Sequence, residues 1–267
     1  MVNPESMPVP PKVAARARDL AAGLVRPAEP RPAATVVLLR DGASDPSDSD
    51  GPGSPDSLGG AGLQVYLIRR QASMAFAAGM YAFPGGRLDA EEDGPTAALR
   101  ELFEETSVLL AGPDGSGDPE PLTDTSHLEQ ERRAVLDRTV GFVEMLRRHG
   151  LVARTDLLVP SAHWVTPEAE ERRYDTRFYV AAMPPGQRAR DVSGEADRAG
   201  WWTPHQVREA LRAGTIRMMP PTVASVAALE AYRTVGDALA DLADREIPTI
   251  RPTVGFDDAG NPFWSLT

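Results

Sequence analysis

The chain carries Arg100-Glu101-Leu102-Phe103-Glu104-Glu105, preceded by Glu92 and by the pair Gly85-Gly86. On a helix, side chains advance by about 100° per residue, so Glu101, Glu104 and Glu105 gather on one face. Leu99, Leu102, Phe103, Thr106, Leu109 and Leu110 share a broad apolar face instead. Carboxylates this close repel, and a like-charged pair such as Glu101 and Glu105 destabilises an isolated helix by about 0.2–0.5 kcal/mol. A divalent cation would reverse the sign of that interaction. Mg²⁺ takes carboxylate oxygens and water, and is commonly shared between protein carboxylates and substrate phosphates. The helix alone leaves two readings open, a cation-binding face and a solvated acidic face. A solvated face normally intersperses lysines, and this one has none.

The elements that must hold these residues follow from period and punctuation. Ala34-Thr35-Val36-Val37-Leu38-Leu39 and Gln64-Val65-Tyr66-Leu67-Ile68-Arg69 read as buried strands. Pro95 suits the first turn of a helix over 95–110, which stops before Gly112-Pro113. A long helix is expected over 128–148 and is closed by Gly150. Short strands follow at 161–165, 175–182 and 200–203, then helices at 204–212 and 222–243. A hairpin is expected to turn at 257–261. Residues 1–33 form a Pro- and Ala-rich extension with one amphipathic helix over 13–24. In the segment 41–62, 19 of 22 positions are Asp, Gly, Ser or Pro. Such a stretch has too little apolar surface to order itself and reads as a flexible acidic loop. A second spacer covers 112–126. Interleaved strands and helices without strict βαβ order point to an α+β fold, a mixed sheet flanked by helices.

Composition limits the function. In 267 residues, 42% are hydrophobic and 25% charged, enough for a sizeable core. There is no cysteine, which excludes disulfides, thiolate metal sites and a cysteine nucleophile, and suits a reducing compartment. A net charge of −11 argues against nucleic acid and against a basic membrane-surface role. An anionic substrate would need cations or local arginines. With no basic leader and no long apolar run, a cytoplasmic protein is the expectation, and a homodimer is allowed.

From Gly86 the spacing is five residues to Glu92, seven more to Arg100, then Glu101-Leu102-Phe103-Glu104-Glu105-Thr106-Ser107-Val108. This resembles the signature of the Nudix hydrolase superfamily: a glycine, a spaced glutamate, then Arg-Glu-apolar-x-Glu-Glu-x-Gly-apolar. Ser107 stands where the family has glycine. The resemblance implies an α/β/α sandwich, with 34–267 as one domain, 112–150 holding a spacer and insertion helix, and 204–267 a helical elaboration. It also implies hydrolysis of a diphosphate bond in a nucleotide-like substrate with Mg²⁺ or Mn²⁺. On this resemblance Glu101, Glu104 and Glu105 bind metal, joined by the carbonyl of Gly85. Arg100 orients Glu101, and Gly86 and Glu92 support the motif.

A narrower resemblance, to the coenzyme A diphosphatase subgroup, runs from about residue 34 to 232. It is carried by Arg70, Phe76, Gly79, Phe83 to Asp89, Trp164-Val165-Thr166-Pro167, Arg173 to Tyr179, Trp201-Trp202-Thr203-Pro204 and Met219-Pro220-Pro221-Thr222. It implies cleavage of CoA or an acyl-CoA, with Arg70 and Arg87 as phosphate contacts and Glu195 as a base or extra ligand. A second arginine found in related CoA-cleaving enzymes is replaced by Ala75. Hydrolysis of ADP-ribose, NADH or another dinucleotide is the second enzymatic reading, and a non-catalytic nucleotide-sensing domain is the rival from another class. Trp164, Trp201 and Trp202 are expected in the core, and His163 and His205 in surface or helix-start roles.

Overall fold

The computed structural model describes residues 8–42, 62–71, 78–115, 120–190 and 196–266. The chain begins with α1 (Pro11–Ala21), β1 (Arg31–Gly42), β2 (Gly62–Arg70), β3 (Tyr81–Ala82) and β4 (Gly85–Arg87). Next come α2 (Gly94–Thr106), β5 (Ala111–Pro113), α3 (Glu129–Leu136), α4 (Phe142–Arg148) and β6 (Leu151–Ala153). Then follow β7 (Val159–Val165), β8 (Tyr174–Ala182), β9 (Ala196–Trp202), α5 (Pro204–Arg212), α6 (Pro220–Leu229) and α7 (Val235–Ala243). The chain closes with β10 (Thr249–Ile250), β11 (Thr253–Phe256) and β12 (Pro262–Ser265).

Eight of these strands form one mixed sheet, and β1 is where it forks. One edge of β1 runs parallel to β8, from Arg31 against Tyr174 to Leu39 against Ala182. The other edge is divided. Ala33, Ala34 and Thr35 pair with β4, and Leu39 to Gly42 pair with β2. Successive strand residues point to opposite faces, so Ala34, Val36 and Leu38 enter a core with α2 while Val37 and Leu39 enter a second core with α5, α6 and α7. Tyr66 and Ile68 of β2 join the first, Val65 and Leu67 the second. The outcome is the α/β/α sandwich expected from the sequence. Among the described residues no helix is long and apolar enough to cross a membrane.

Several expected elements differ. The helix read over 95–110 ends at Thr106, because Ser107 turns left-handed at φ 64°. The helix read over 128–148 is a 3-10 turn at Ser126–Leu128 followed by α3 and α4, separated where Arg138 adopts φ 57°. The helix read over 222–243 is two, because the Thr234 hydroxyl accepts from the Asp237 N–H and the Asp237 carboxylate accepts from the Thr234 N–H. That reciprocal cap starts a new helix. The acidic segment is shorter than read: Asp41, Gly42 and Gly62 belong to strands, and Asp41 accepts from the Val235 N–H at 2.8 Å. Residues 43–61 lie outside the described residues. The C-terminal hairpin forms as expected, and Arg18 of α1 stacks over its Phe256 at 4.6 Å.

Candidate active site

The site is built where β4 meets α2. Asp93 caps this helix, accepting from the Thr96 N–H at 2.8 Å, with Pro95 in the first turn. Gly85 and Gly86 pair with Thr35 and Ala34 of β1, which lays the glycine turn across the helix. A side chain at Gly86 would drive its Cβ into the Glu101 carboxylate, and one at Gly85 would fall 2.5 Å from Thr35 Oγ1. At Gly85 a Cβ would run into the backbone of β1, whereas at Gly86 it would fit only if the end of Glu101 moved aside. The Gly85 N–H donates to Glu105 Oε2 at 3.0 Å.

Arg100 is the hub. Only 3% exposed, it donates to Glu92 from Nε and Nη2, to Glu101 Oε1 at 2.8 Å and to Glu104 Oε1 at 3.2 Å. Its Nη2 also reaches the Arg87 carbonyl at 2.8 Å, and Asp89 lies 3.8 Å away. Burial works against its charge, but the Glu92 hydrogen bonds and the fields of Glu101 and Glu104 hold it more firmly protonated than an ordinary arginine.

Glu101, Glu104 and Glu105 are 9%, 7% and 6% exposed, which removes the solvated-face reading of the helix. Burial, reinforced by the Glu104 charge and opposed by Arg100, pushes the Glu101 carboxyl up to about 7. Glu104 is raised as well, first by burial. Four carboxylates, those of Glu92, Glu101, Glu104 and Glu105, gather around Arg100 and the Gly85 N–H, and like charges buried together are costly. Hard oxygen donors gathered in one buried place are the chemistry that suits Mg²⁺ or Mn²⁺. The donor set therefore fits a divalent cation. As the side chains stand, no group of three acidic or imidazole side chains among the described residues is arranged to hold a metal, because Arg100 and the Gly85 N–H hold these carboxylates.

The structure thus brings together Gly85, Gly86, Glu92, Arg100, Glu101, Glu104 and Glu105. Arg87 gives its carbonyl to Arg100 and exposes its side chain. Arg70 ends β2, its N–H bonded to the Met80 carbonyl at 3.0 Å. Glu195, Ala75 and Phe76 lie outside the described residues. Trp164 and Trp201 are buried core residues, and Trp202 packs edge-on against Tyr81 at 5.5 Å. His163 is held between Asp175 and Thr249, and His205 is exposed at the start of α5.

Two residues of the site, Arg138 and Arg132, escape a sequence reading. Arg138 pairs with Asp89, which ties the loop before α2 to the turn between α3 and α4. Arg132, 2% exposed, donates from Nη1 to the Glu104 carbonyl at 2.7 Å and forks onto Glu129. Their only sequence signal is three arginines, Arg132, Arg133 and Arg138, in a segment that otherwise looks like insertion.

Residues 95–229, half of the chain, match the family model of the NUDT19 Nudix domain. The chain belongs to the Nudix hydrolases. The matched range contains Arg100, Glu101, Glu104 and Glu105 and begins after Gly86 and Glu92. Acyl-coenzyme A diphosphatase NUDT19 of Xenopus laevis is 27% identical over 173 residues, 61% of this Nudix chain and 45% of that protein. The protein of the same name from Gallus gallus is 24% identical over 278 residues, 80% of this chain and 72% of its own. The chain therefore spans less than half of the first of these relatives. The crystal structure of a NUDIX hydrolase from Alicyclobacillus acidocaldarius superposes with a TM-score of 0.62 at 24% identity, covering 82% of this chain and 99% of that one. That likeness concerns the Nudix fold.

Proposed function

We propose that this Nudix hydrolase cleaves the diphosphate of CoA or an acyl-CoA, giving 3′,5′-ADP and the matching 4′-phosphopantetheine, in a reaction that requires Mg²⁺ or Mn²⁺. The observation that supports the metal requirement is the convergence of three buried carboxylates, Glu101, Glu104 and Glu105, beside the Gly85-Gly86 turn. Glu101, Glu104 and Glu105, with the Gly85 carbonyl, are the groups that would hold the cation. When bound, it neutralises phosphate oxygens and lowers the pKa of an attacking water. The chain's own part is positioning. Arg100 fixes Glu101 and Glu104 on one guanidinium, and Glu92 with the Arg87 carbonyl fixes Arg100. Arg70 and Arg87 supply forked donors suited to phosphate oxygens. Glu195 is assigned as the proton acceptor on sequence alone. In the step itself a water oxygen bonds to one phosphorus and the bridging P–O bond breaks. The leaving phosphate keeps the electron pair, and the water's proton passes to the base.

The CoA assignment is supported by the names of the curated relatives and by the order of the subgroup's strings along the chain. The test is hydrolysis by purified protein, with and without Mg²⁺ or Mn²⁺, of CoA esters, ADP-ribose, NADH and diadenosine polyphosphates. CoA esters are expected to give the highest kcat/KM, with activity lost in chelator. Glu105→Gln should lower turnover by more than the ~10²-fold low end for one catalytic group, with an unchanged circular dichroism spectrum. A kcat/KM for ADP-ribose or NADH ten times that of any CoA ester would overturn the CoA reading and leave Nudix hydrolysis standing.

A further inference from the structure

Two of the strings outside the glutamate helix, residues 164–167 and 219–221, meet at one place. They line a cavity of about 130 Å³ whose walls include Trp164, Pro167, Phe178, Met219, Pro220 and Trp264. Trp164 and Phe178 belong to the core opposite α2, so the cavity opens on the other face of the sheet from the carboxylates. It is nonetheless close to them. Phe178 pairs with Thr35, and Thr35 with Gly85, so two strand spacings, about 10 Å, separate this wall from the glycine turn. Phe83, two residues before Gly85, meets Phe178 edge-on at 6.4 Å. Met218, next to Met219, bridges Tyr81 just upstream. Cavity and turn therefore rest on the same backbone.

The lining selects by charge and size. Among the described residues that form it there is no arginine, lysine or histidine, and the ionisable one is Glu170. A lining without a basic side chain offers no partner to the diphosphate or the 3′-phosphate of CoA. Burial, then the charge of Glu171, moves the Glu170 carboxyl toward its neutral form. An apolar cavity near 150 Å³ stays dry and takes a benzene-sized guest, so this one holds about four to six carbons. Resting on the CoA reading, we propose that this cavity is the subsite for the acyl chain of a short acyl-CoA thioester, with Trp164, Met219 and Trp264 setting the length accepted.

The test measures kcat/KM for acetyl-, hexanoyl- and palmitoyl-CoA with wild type, Met219→Trp to fill the cavity and Trp264→Ala to enlarge it. Trp264 sits on the peripheral C-terminal hairpin, so that variant decides the matter if Met219→Trp fails to fold. Calorimetry with S-hexanoyl-pantetheine, which lacks the diphosphate, reads the cavity without hydrolysis. Wild type should gain roughly fourfold per buried methylene until the cavity is full. Met219→Trp should lower the hexanoyl-to-acetyl ratio at least tenfold and weaken calorimetric binding, and Trp264→Ala should move the optimum to longer chains. Ratios that neither variant alters overturn the acyl subsite and leave CoA cleavage intact. Displacement of S-hexanoyl-pantetheine by 3′,5′-ADP would assign the cavity to the base and also overturn it. Binding of the thioester without hydrolysis of any CoA ester supports the subsite and removes the CoA reading. Neither binding nor hydrolysis removes both.

Discussion

Arg132 closes the C-terminal end of the glutamate helix through the main chain of Glu104, not through its carboxylate. The last turn of a helix leaves carbonyls without intrahelical partners, and a cation there is favourable. Arg132 fills that role from α3, inside the segment that reads as insertion, and Glu129 holds its other nitrogens. The position of Glu104 thus depends on an element far from the motif.

Arg132→Met keeps much of the volume and removes the donor, so it should cost about 2–3 kcal/mol, as for a buried hydrogen bond involving a charged group. kcat should fall more than KM rises, and Arg132→Lys, with one compact charge in place of a fork, should lie between. Urea denaturation together with steady-state kinetics measures both. Wild-type stability in Arg132→Met would show that the Glu104 carbonyl finds another donor.

Acid should weaken the same link. The hydrogen bond from Arg132, opposed by burial and joined by one from Arg133, brings Glu129 down from its ordinary 4.5 to about 2. A depressed carboxyl pKa stabilises the fold fully above the unfolded value and loses that effect as pH falls through the folded one. The stability gap between wild type and Glu129→Gln should therefore be widest above pH 4.5 and close toward about 2. A gap that is flat with pH in paired thermal melts would contradict it.

Gly86→Ala separates site from scaffold. The new Cβ meets the carboxylate end of Glu101, which can swing away at little cost to the fold. Tm should barely change, whereas turnover should drop by about 10²-fold or more if Glu101 has the metal-holding role proposed for it. Unimpaired turnover would mean that Glu101 does not need its present place.

Ser107 offers a stabilising change. It holds a left-handed backbone, and its buried hydroxyl has no hydrogen-bond partner among the described residues. A left-handed non-glycine residue costs roughly 1–2 kcal/mol. Glycine gives part of that back through unfolded-state entropy, so Ser107→Gly should raise stability by about 1 kcal/mol. Ser107→Ala removes only the hydroxyl and should gain less. Equal melting temperatures for all three proteins would refute the strain argument.

Much of the site was legible because fixed spacing on one helix is a geometric statement. What covers a helix face is not, since a helical wheel shows which residues share a side and not what packs there. The burial of Glu101, Glu104 and Glu105 follows from the glycine turn paired to β1, a contact between distant segments. Helix breaks were lost for local reasons. Thr234 and Asp237 form a four-residue signal inside a longer apolar period, and Arg138 gives no residue-type hint of its positive φ. The strands β5 and β6 are three residues each, too short to show alternation. β1 and β2 were legible as apolar runs, the mark of strands buried on both faces, but such runs do not say that the two faces enter separate cores.

The parallel ladder between β1 and β8 has a bearing on how the protein is made. A chain emerging from the ribosome presents β1 and the glutamate helix early, yet β1 finds its longest partner only when Tyr174–Ala182 has been synthesised. Pairings between distant segments form slowly, and the exposed strand edge is vulnerable until they do. A nascent or truncated chain that stops short of β8 would hold every residue of the motif and no finished sheet beneath it. Catalytic competence is in this sense a late event in the protein's own biogenesis, gated by a strand that contributes none of the motif's carboxylates.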